Sequence, residues 1–500
     1  MTTFFSNDSL KIGSMITSGG KTNCIYDKEG NPGLYYQLIR FNIEDVDPTR
    51  VYISSASDSV GDVVFTTASE HRFSSGWPIT IYTGSYAGTY KLVDATPGTT
   101  TFKIATYANW MSGGANVQRV AGYAATAPSY CGMFGTSNYP AFQWGVSPTM
   151  NVLNLSCFQN VVVSSTNSVE LPVSFPNMSL WLAEDDRLTF NEWREISKEK
   201  GSGFHMITNW EYCAALLSAY AIRGKVQTNL LRGNTNFGRS HVEGYKHEVG
   251  RRGAADAYMG NISVEDPGRG DHTFSGTGPN SWNHNNSSVG IADLVGNMSE
   301  PVDGIYIYKG QIYINKYNNH IMNNPENFGN SDWVATGVYF DSSADGSDNG
   351  VRNVVSAPIL RYKSTFTTPA KSTYKLNNWT DDDTTLGSDD DILTDMARSK
   401  CASIVYDTTT VGAKYTDAPL ATQQLLLQAL IDLSWLDSSV VTDGYVAVKN
   451  SGTRGLLRGG HFTNALLHDG SSAHANMFTY SFAYGKETPF GSATVRTSFS

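Results

Sequence analysis

Between Val51 and Val120 the apolar positions fall in short runs that alternate or cluster: Val63-Val64-Phe65, Ile79-Thr80-Ile81, Tyr90-Lys91-Leu92 and Thr101-Phe102-Lys103-Ile104. Runs of this length and period predict strands. Gly76, Gly84, Gly88 and the Pro97-Gly98 pair separate them as turn residues. Residues 49–120 are therefore expected to form a small antiparallel β module. Residues 1–48 carry few periodic signals and read as an N-terminal attachment or assembly segment. Residues 121–170, rich in Ser, Asn, Pro and Tyr, read as a linker or lead-in to a larger domain over 171–500.

Inside that larger domain two helix starts announce themselves. Thr189 is followed three positions on by Glu192, a capping box, with Leu188 and Trp193 placed as its hydrophobic staple. The helix should run to about Lys200 and stop at Gly201. Thr208 with Glu211 repeats the device, with Ile207 and Tyr212 as the staple, and Gly224 ends that helix. Ile305-Tyr306-Ile307-Tyr308, Lys309-Gly310 and Gln311-Ile312-Tyr313-Ile314 spell a tight hairpin. Leu425 to Leu436 reads as a third helix. The acidic runs Asp381–Asp383 and Asp389–Asp391 lack the ligand spacing of a calcium loop and read as solvated.

Composition narrows the class. The chain has 500 residues, too many for one core, so several domains are expected. Charged residues make up 16%, below the usual share of about 25%, while aromatics reach 12% with 27 Tyr and 10 Trp. Low charge with abundant Tyr, Gly, Ser, Thr and Asn suits extracellular or virion material. The formal net charge of −10 disfavours nucleic acid as a partner. No stretch approaches the roughly 18 apolar residues of a membrane span, so no membrane insertion is expected. The start, MTTFFSNDSLKIGS, lacks a basic region followed by an apolar run, so no signal peptide is expected. The 5 cysteines, at 24, 131, 157, 213 and 401, are scattered without a C-x-x-C pair and read as buried thiols.

Three segments in order carry a resemblance: GFHMITNWEYCAAL (203–216), GIADLVGNMSEPVDG (290–304), and GLLRGGHF (455–462) followed by ATVRTSFS. Together they resemble the formylglycine-generating-enzyme branch of the C-type lectin fold. That branch includes the variable proteins of diversity-generating retroelements, among them phage tail receptor-binding proteins. The stretch 71–104 is similar to β modules that recur in phage tail proteins. The resemblance implies an α+β chain: a C-type-lectin-like C-terminal domain preceded by a small all-β module. It also implies that residues from about 459 to 500 form the ligand surface. The residues themselves suggest structural roles. The glycines at 290, 296 and 304 bracket a turn, Asp293 and Asn297 can bond local backbone, and Arg458 before two glycines reads as a buried guanidinium bridging strands. Glu300-Pro301 is similar to a sugar-binding lectin motif, but its register follows the other branch.

Enzymes of that family use a reactive cysteine pair after the R-G-G segment, and this chain has no cysteine beyond Cys401. Thiolate or soft-metal chemistry cannot be built there without thiols, so no catalysis and no cofactor is expected. An enzyme of that superfamily with an unfamiliar site stays as a remote alternative. Between Gly459 and Ser500 only Asp469, Lys486, Glu487 and Arg496 carry full charge. His461, Thr463, Asn464, His468, Asp469, Ser471, Ser472, His474, Asn476, Tyr480 and Tyr484 sit there among apolar anchors such as Phe462 and Phe478. Tyr, Ser and Asn are what paratopes favour, giving contact area at low entropy cost with adaptable hydrogen bonds. These residues, with Trp282 as a neighbouring aromatic anchor, are the candidate ligand contacts; the plainer alternative is solvated strand and loop. His461, His468 and His474 are not spaced as a metal site. The expected partners are a host-cell surface receptor, protein or glycan, and other tail proteins of a virion. The resemblance implies a homotrimer. A decoration protein of the same fold, or a bacterial surface protein, is the alternative.

Overall fold

The computed structural model describes residues 22–59, 62–105, 129–136, 138–143, 150–164, 169–176, 178, 180, 188–223, 275–276, 278, 280–308, 311–318, 333–342, 358–364, 397–400, 404–436, 445–448, 453–460, 478, 480–482 and 494–499. Within them the chain is β-rich with few helices, arranged as a six-stranded closed barrel, a five-stranded sheet, a nine-stranded sheet and a two-stranded pair.

The barrel is built from the alternating runs. Its strands are β3 (Val51–Ser59), β4 (Asp62–Thr67), β5 (Pro78–Ile81), β6 (Gly88–Ala95), β7 (Thr101–Ala105) and β8 (Ser129–Gly132), closed in the order β3-β4-β7-β6-β5-β8. On β4, Val63, Phe65 and Thr67 point inward while their neighbours are partly exposed. Phe65 and Phe102 stack inside with ring centroids 5.1 Å apart. The barrel extends beyond the expected boundary at 120 because β8 supplies the closing strand, pairing with both β3 and β5. Asp47 fastens that closure: Thr49 N and Oγ1 donate to its Oδ1, and Tyr82 Oη at 2.6 Å and Phe134 N at 3.0 Å donate to its Oδ2.

The segments expected to be attachment and linker belong in part to the body. β1 (Thr22–Tyr26) and β2 (Pro32–Ile39) form a hairpin in a five-stranded sheet ordered β1-β2-β9-β22-β12. There β9 is Val152–Ser156, β12 is Phe204–Met206 and β22 is Thr497–Phe499. Residues 1–21 lie outside the described residues, as do the acidic runs. β10 (Val161–Ser164) and β11 (Glu170–Val173) make a separate pair. The nine-stranded sheet runs β17-β19-β21-β20-β13-β14-β15-β16-β18. Its members are β13 (Glu300–Tyr308), β14 (Gln311–Asn315), β15 (Trp333–Ser342), β16 (Pro358–Tyr362), β17 (Ala397–Lys400), β18 (Val405–Tyr406), β19 (Tyr445–Val448), β20 (Thr453–Arg458) and β21 (Tyr480–Phe482). β13 and β14 pair from Ile305↔Ile314 to Tyr308↔Gln311, the hairpin read from the sequence.

Among the described residues the α-helices are α1 (Ile43–Val46), α2 (Phe190–Glu199), α3 (Asn209–Arg223) and α4 (Leu420–Gln428). Both capping boxes form. Glu192 N donates to Thr189 Oγ1 at 3.2 Å and Thr189 N to Glu192 Oε2 at 2.7 Å. Glu211 N donates to Thr208 Oγ1 at 3.2 Å and Thr208 N to Glu211 Oε2 at 3.0 Å. The third helix is displaced from 425–436. It starts after Pro419 and ends at Gln428, because Leu430 has φ +52° and the buried apolar residues that follow are irregular chain, not helix. An apolar run of that length does not by itself distinguish helix from buried loop. This region ties the barrel to the larger sheet: Gln424 Nε2 donates to Thr80 Oγ1 on β5 at 2.8 Å, and Arg458 on β20 donates to Ala429 O at 2.6 Å. Among the described residues no helix is long and apolar enough to cross a membrane.

Candidate functional site

The three recognised segments converge in space. The turn 290–299 leads into β13, whose Glu300 pairs with Arg458 on β20, and a register shift between Val302 and Tyr306 accommodates Gly304 at φ +82°. Asp293 (φ +53°), Gly296 (φ +78°) and Asn297 (φ +62°) adopt the left-handed backbone that Asn, Asp and Gly tolerate. Gln159 fills the turn from β9's side: its Nε2 lies 2.7 Å from Met298 O, 3.1 Å from Asp293 O and 3.0 Å from Glu300 Oε1. No sequence signal marked Gln159, since its partners are more than a hundred positions away.

Two fully buried arginines anchor the C-terminal strands. Arg496 grips Glu300 in a fork, Nε to Oε2 at 2.9 Å and Nη2 to Oε1 at 2.8 Å, and donates Nη1 to Ser156 O at 2.7 Å. Arg458 is the buried guanidinium anticipated, but it bridges from a strand to helix ends. Nε and Nη2 donate to Asn209 Oδ1 at 3.0 and 2.8 Å, Nη2 to Ala429 O at 2.6 Å and Nη1 to Leu430 O at 3.3 Å. The next carbonyl, Ile431 O, accepts the Tyr480 hydroxyl at 3.1 Å. Consecutive carbonyls at the end of α4 thus hold both β20 and β21. Gly459 (φ +81°) follows, where a Cβ would sit 2.9 Å from Leu294 O and from Tyr212 Oη. Only glycine fits.

The candidate contacts His461, Thr463, Asn464, His468, Asp469, Ser471, Ser472, His474, Asn476 and Tyr484 lie outside the described residues. Two candidates are described, and both are buried. Tyr480 is completely buried, its ring 5.2 Å from the Arg458 guanidinium and its hydroxyl bonded internally. Trp282 is 2% exposed and packs on Gly278, where a Cβ would fall inside the indole. Neither presents a ring to a ligand. What the structure places is the frame of the polar region: Gly460, Phe478, Phe482 and Thr494, which bound the segments 461–477 and 483–493, are all buried.

No family model matches the chain, and no curated protein matches it.

Two buried carboxylates show the electrostatics of this frame. Burial opposes ionisation of Glu211, but His205 at 3.0 Å, Thr208 N–H and the Asn318 amide outweigh it and hold the pKa at about 2. Asp293 goes the other way. Burial raises it from 3.8 to about 6, with the Glu300 charge adding, although Gly276 N–H and Arg496 oppose the rise. A carboxyl whose folded pKa is raised favours the fold below its unfolded value and loses that advantage as pH rises through the folded one. Asp293→Asn keeps an acceptor for Gly276 N and tolerates φ +53°. It is therefore expected to gain on the wild type by up to roughly 3 kcal/mol between pH 4 and pH 8. Urea titrations at the two pH values measure this, and an equal offset at both would refute it. Among the described residues no cluster of three or more His, Cys, Asp or Glu could hold a metal ion.

Proposed function

We propose that this chain is a receptor-binding protein of a phage tail. Residues 171–500 are a C-type-lectin-like domain of the formylglycine-generating-enzyme type, and its polar segments 461–477 and 483–493 recognise a host-surface protein or glycan without catalysis. The observation that supports the reading most is the separation of frame from segment. The strands before, between and after the polar stretches are buried and cross-linked by Arg458, Tyr480, Glu300 and Arg496. The stretches themselves hold the Ser, Asn, His and Tyr residues suited to adaptable contacts. A frame fastened independently of its insert tolerates change in the insert. Assembly as a homotrimer with other tail proteins belongs to the same proposal, and several weak sites on one particle would gain avidity of about 10²–10⁴-fold.

The test is adsorption of purified protein to host cells. Scrambling 461–477 while leaving Tyr480–Phe482 intact is expected to abolish binding with unchanged circular dichroism and melting temperature. Undiminished adsorption by the scrambled protein would favour a decoration role.

A further inference from the structure

Lys200, just past the end of α2, sends its side chain into the interior beside the β1–β2 turn. Its Nζ is 3.8 Å from Asp27 Oδ2, with the two side chains 2% and 0% exposed. The amine is aimed by a bond of 2.6 Å to Pro172 O and lies 5.0 Å from the centre of the Phe204 ring. Asp27 Oδ1 is held separately: it accepts from Glu29 N at 3.0 Å, Asn31 N at 2.9 Å and Asn31 Nδ2 at 3.2 Å. Asn31 Nδ2 also lies 3.1 Å from Oδ2. One oxygen of the carboxyl thus sits in a nest of N–H donors while the other faces the amine.

We propose that Lys200 and Asp27 condense into an intramolecular amide, cross-linking the β1–β2 turn to the end of α2. The reaction is balanced without any further reactant. A proton passes from the ammonium to Oδ2, and the neutral amine attacks Cγ. Charge then collects on Oδ1, where the Glu29 and Asn31 donors face it, as an oxyanion hole would. The Nζ–Cγ bond forms and the Cγ–Oδ2 bond breaks. Oδ2 leaves as water with two of the three ammonium protons, and the third stays on the amide nitrogen. Burial disfavours the charged ammonium and brings the Lys200 pKa down to about 8. Holding both groups in place substitutes for concentration, with effective molarities on the order of 10⁵–10⁸ M in well-oriented cases. Cys24, Cys131, Cys157 and Cys213 are free thiols, so this amide would provide a covalent tie between distant segments.

Intact-mass measurement on denatured full-length protein, held beforehand at pH 8, decides it. The expected result is a mass lower than the sequence mass by one water. A branched tryptic peptide should join residues 22–28 to a peptide uncleaved after Lys200. Lys200→Arg and Asp27→Ala should both restore the full mass, and the arginine variant, which keeps a cation beside Asp27, shows the change is not a folding artefact. Unmodified mass in the wild type, with trypsin cutting after Lys200, would overturn the proposal and leave a plain buried ion pair.

Discussion

Arg496→Met is expected to destabilise the fold by about 3–5 kcal/mol, because it removes the guanidinium from the Glu300 carboxyl and leaves it in the interior with the Gln159 amide but without its ion-pair partner. Both groups are at 0% exposure and share two bonds of 2.8 and 2.9 Å. Glu300→Leu should cost a similar amount by stranding the guanidinium. The double variant is the informative one. An apolar pair of comparable volume removes two desolvation penalties together, so much of the loss should return. Urea denaturation of the four proteins gives the coupling energy directly. A coupling near zero would mean that the pair does not act as one unit.

The second large effect is expected at Arg458. Arg458→Ala removes the donors serving Asn209 Oδ1, Ala429 O and Leu430 O and leaves a cavity, a combined loss of about 3–5 kcal/mol. Arg458→Lys keeps the charge but replaces a planar fork with a single point donor, so a loss of about 2 kcal/mol is expected. Tyr480→Phe, which deletes only the bond to Ile431 O, should cost about 1 kcal/mol. Melting curves would give this order, alanine worst and phenylalanine mildest. A ranking with Arg458→Ala as harmless as Tyr480→Phe would contradict the clamp.

Whatever was encoded locally could be read from the sequence. Four of the six barrel strands, β4 to β7, follow from alternation within a few residues, the two helix starts from boxes of three-residue span, and the hairpin from two matched runs around Lys309-Gly310. Elements whose partners lie far along the chain could not be read. The β1–β2 hairpin looked featureless because β2 is completed by Leu153 and Leu155 of β9, more than a hundred positions on. Arg458 announced itself through its glycines, whereas Glu300 and Arg496 are 196 positions apart and gave no joint signal. Tyr480, expected at the ligand surface, is buried for a physical reason. Tyrosine pairs a large apolar ring with one polar atom, so composition alone does not say whether the hydroxyl meets a ligand or an internal carbonyl.

The five-stranded sheet sets a schedule for biosynthesis. β22 fills the place between β9 and β12, and the Tyr35 hydroxyl meets Thr497 across 462 positions. At roughly 5–20 residues per second, the 341 positions from Ser156 to Thr497 take about 20–70 s to translate. Throughout that interval the nascent hairpin and β9 hold an open hydrogen-bonding edge on the ribosome, so chaperone occupancy during synthesis is expected to govern the yield of native protein.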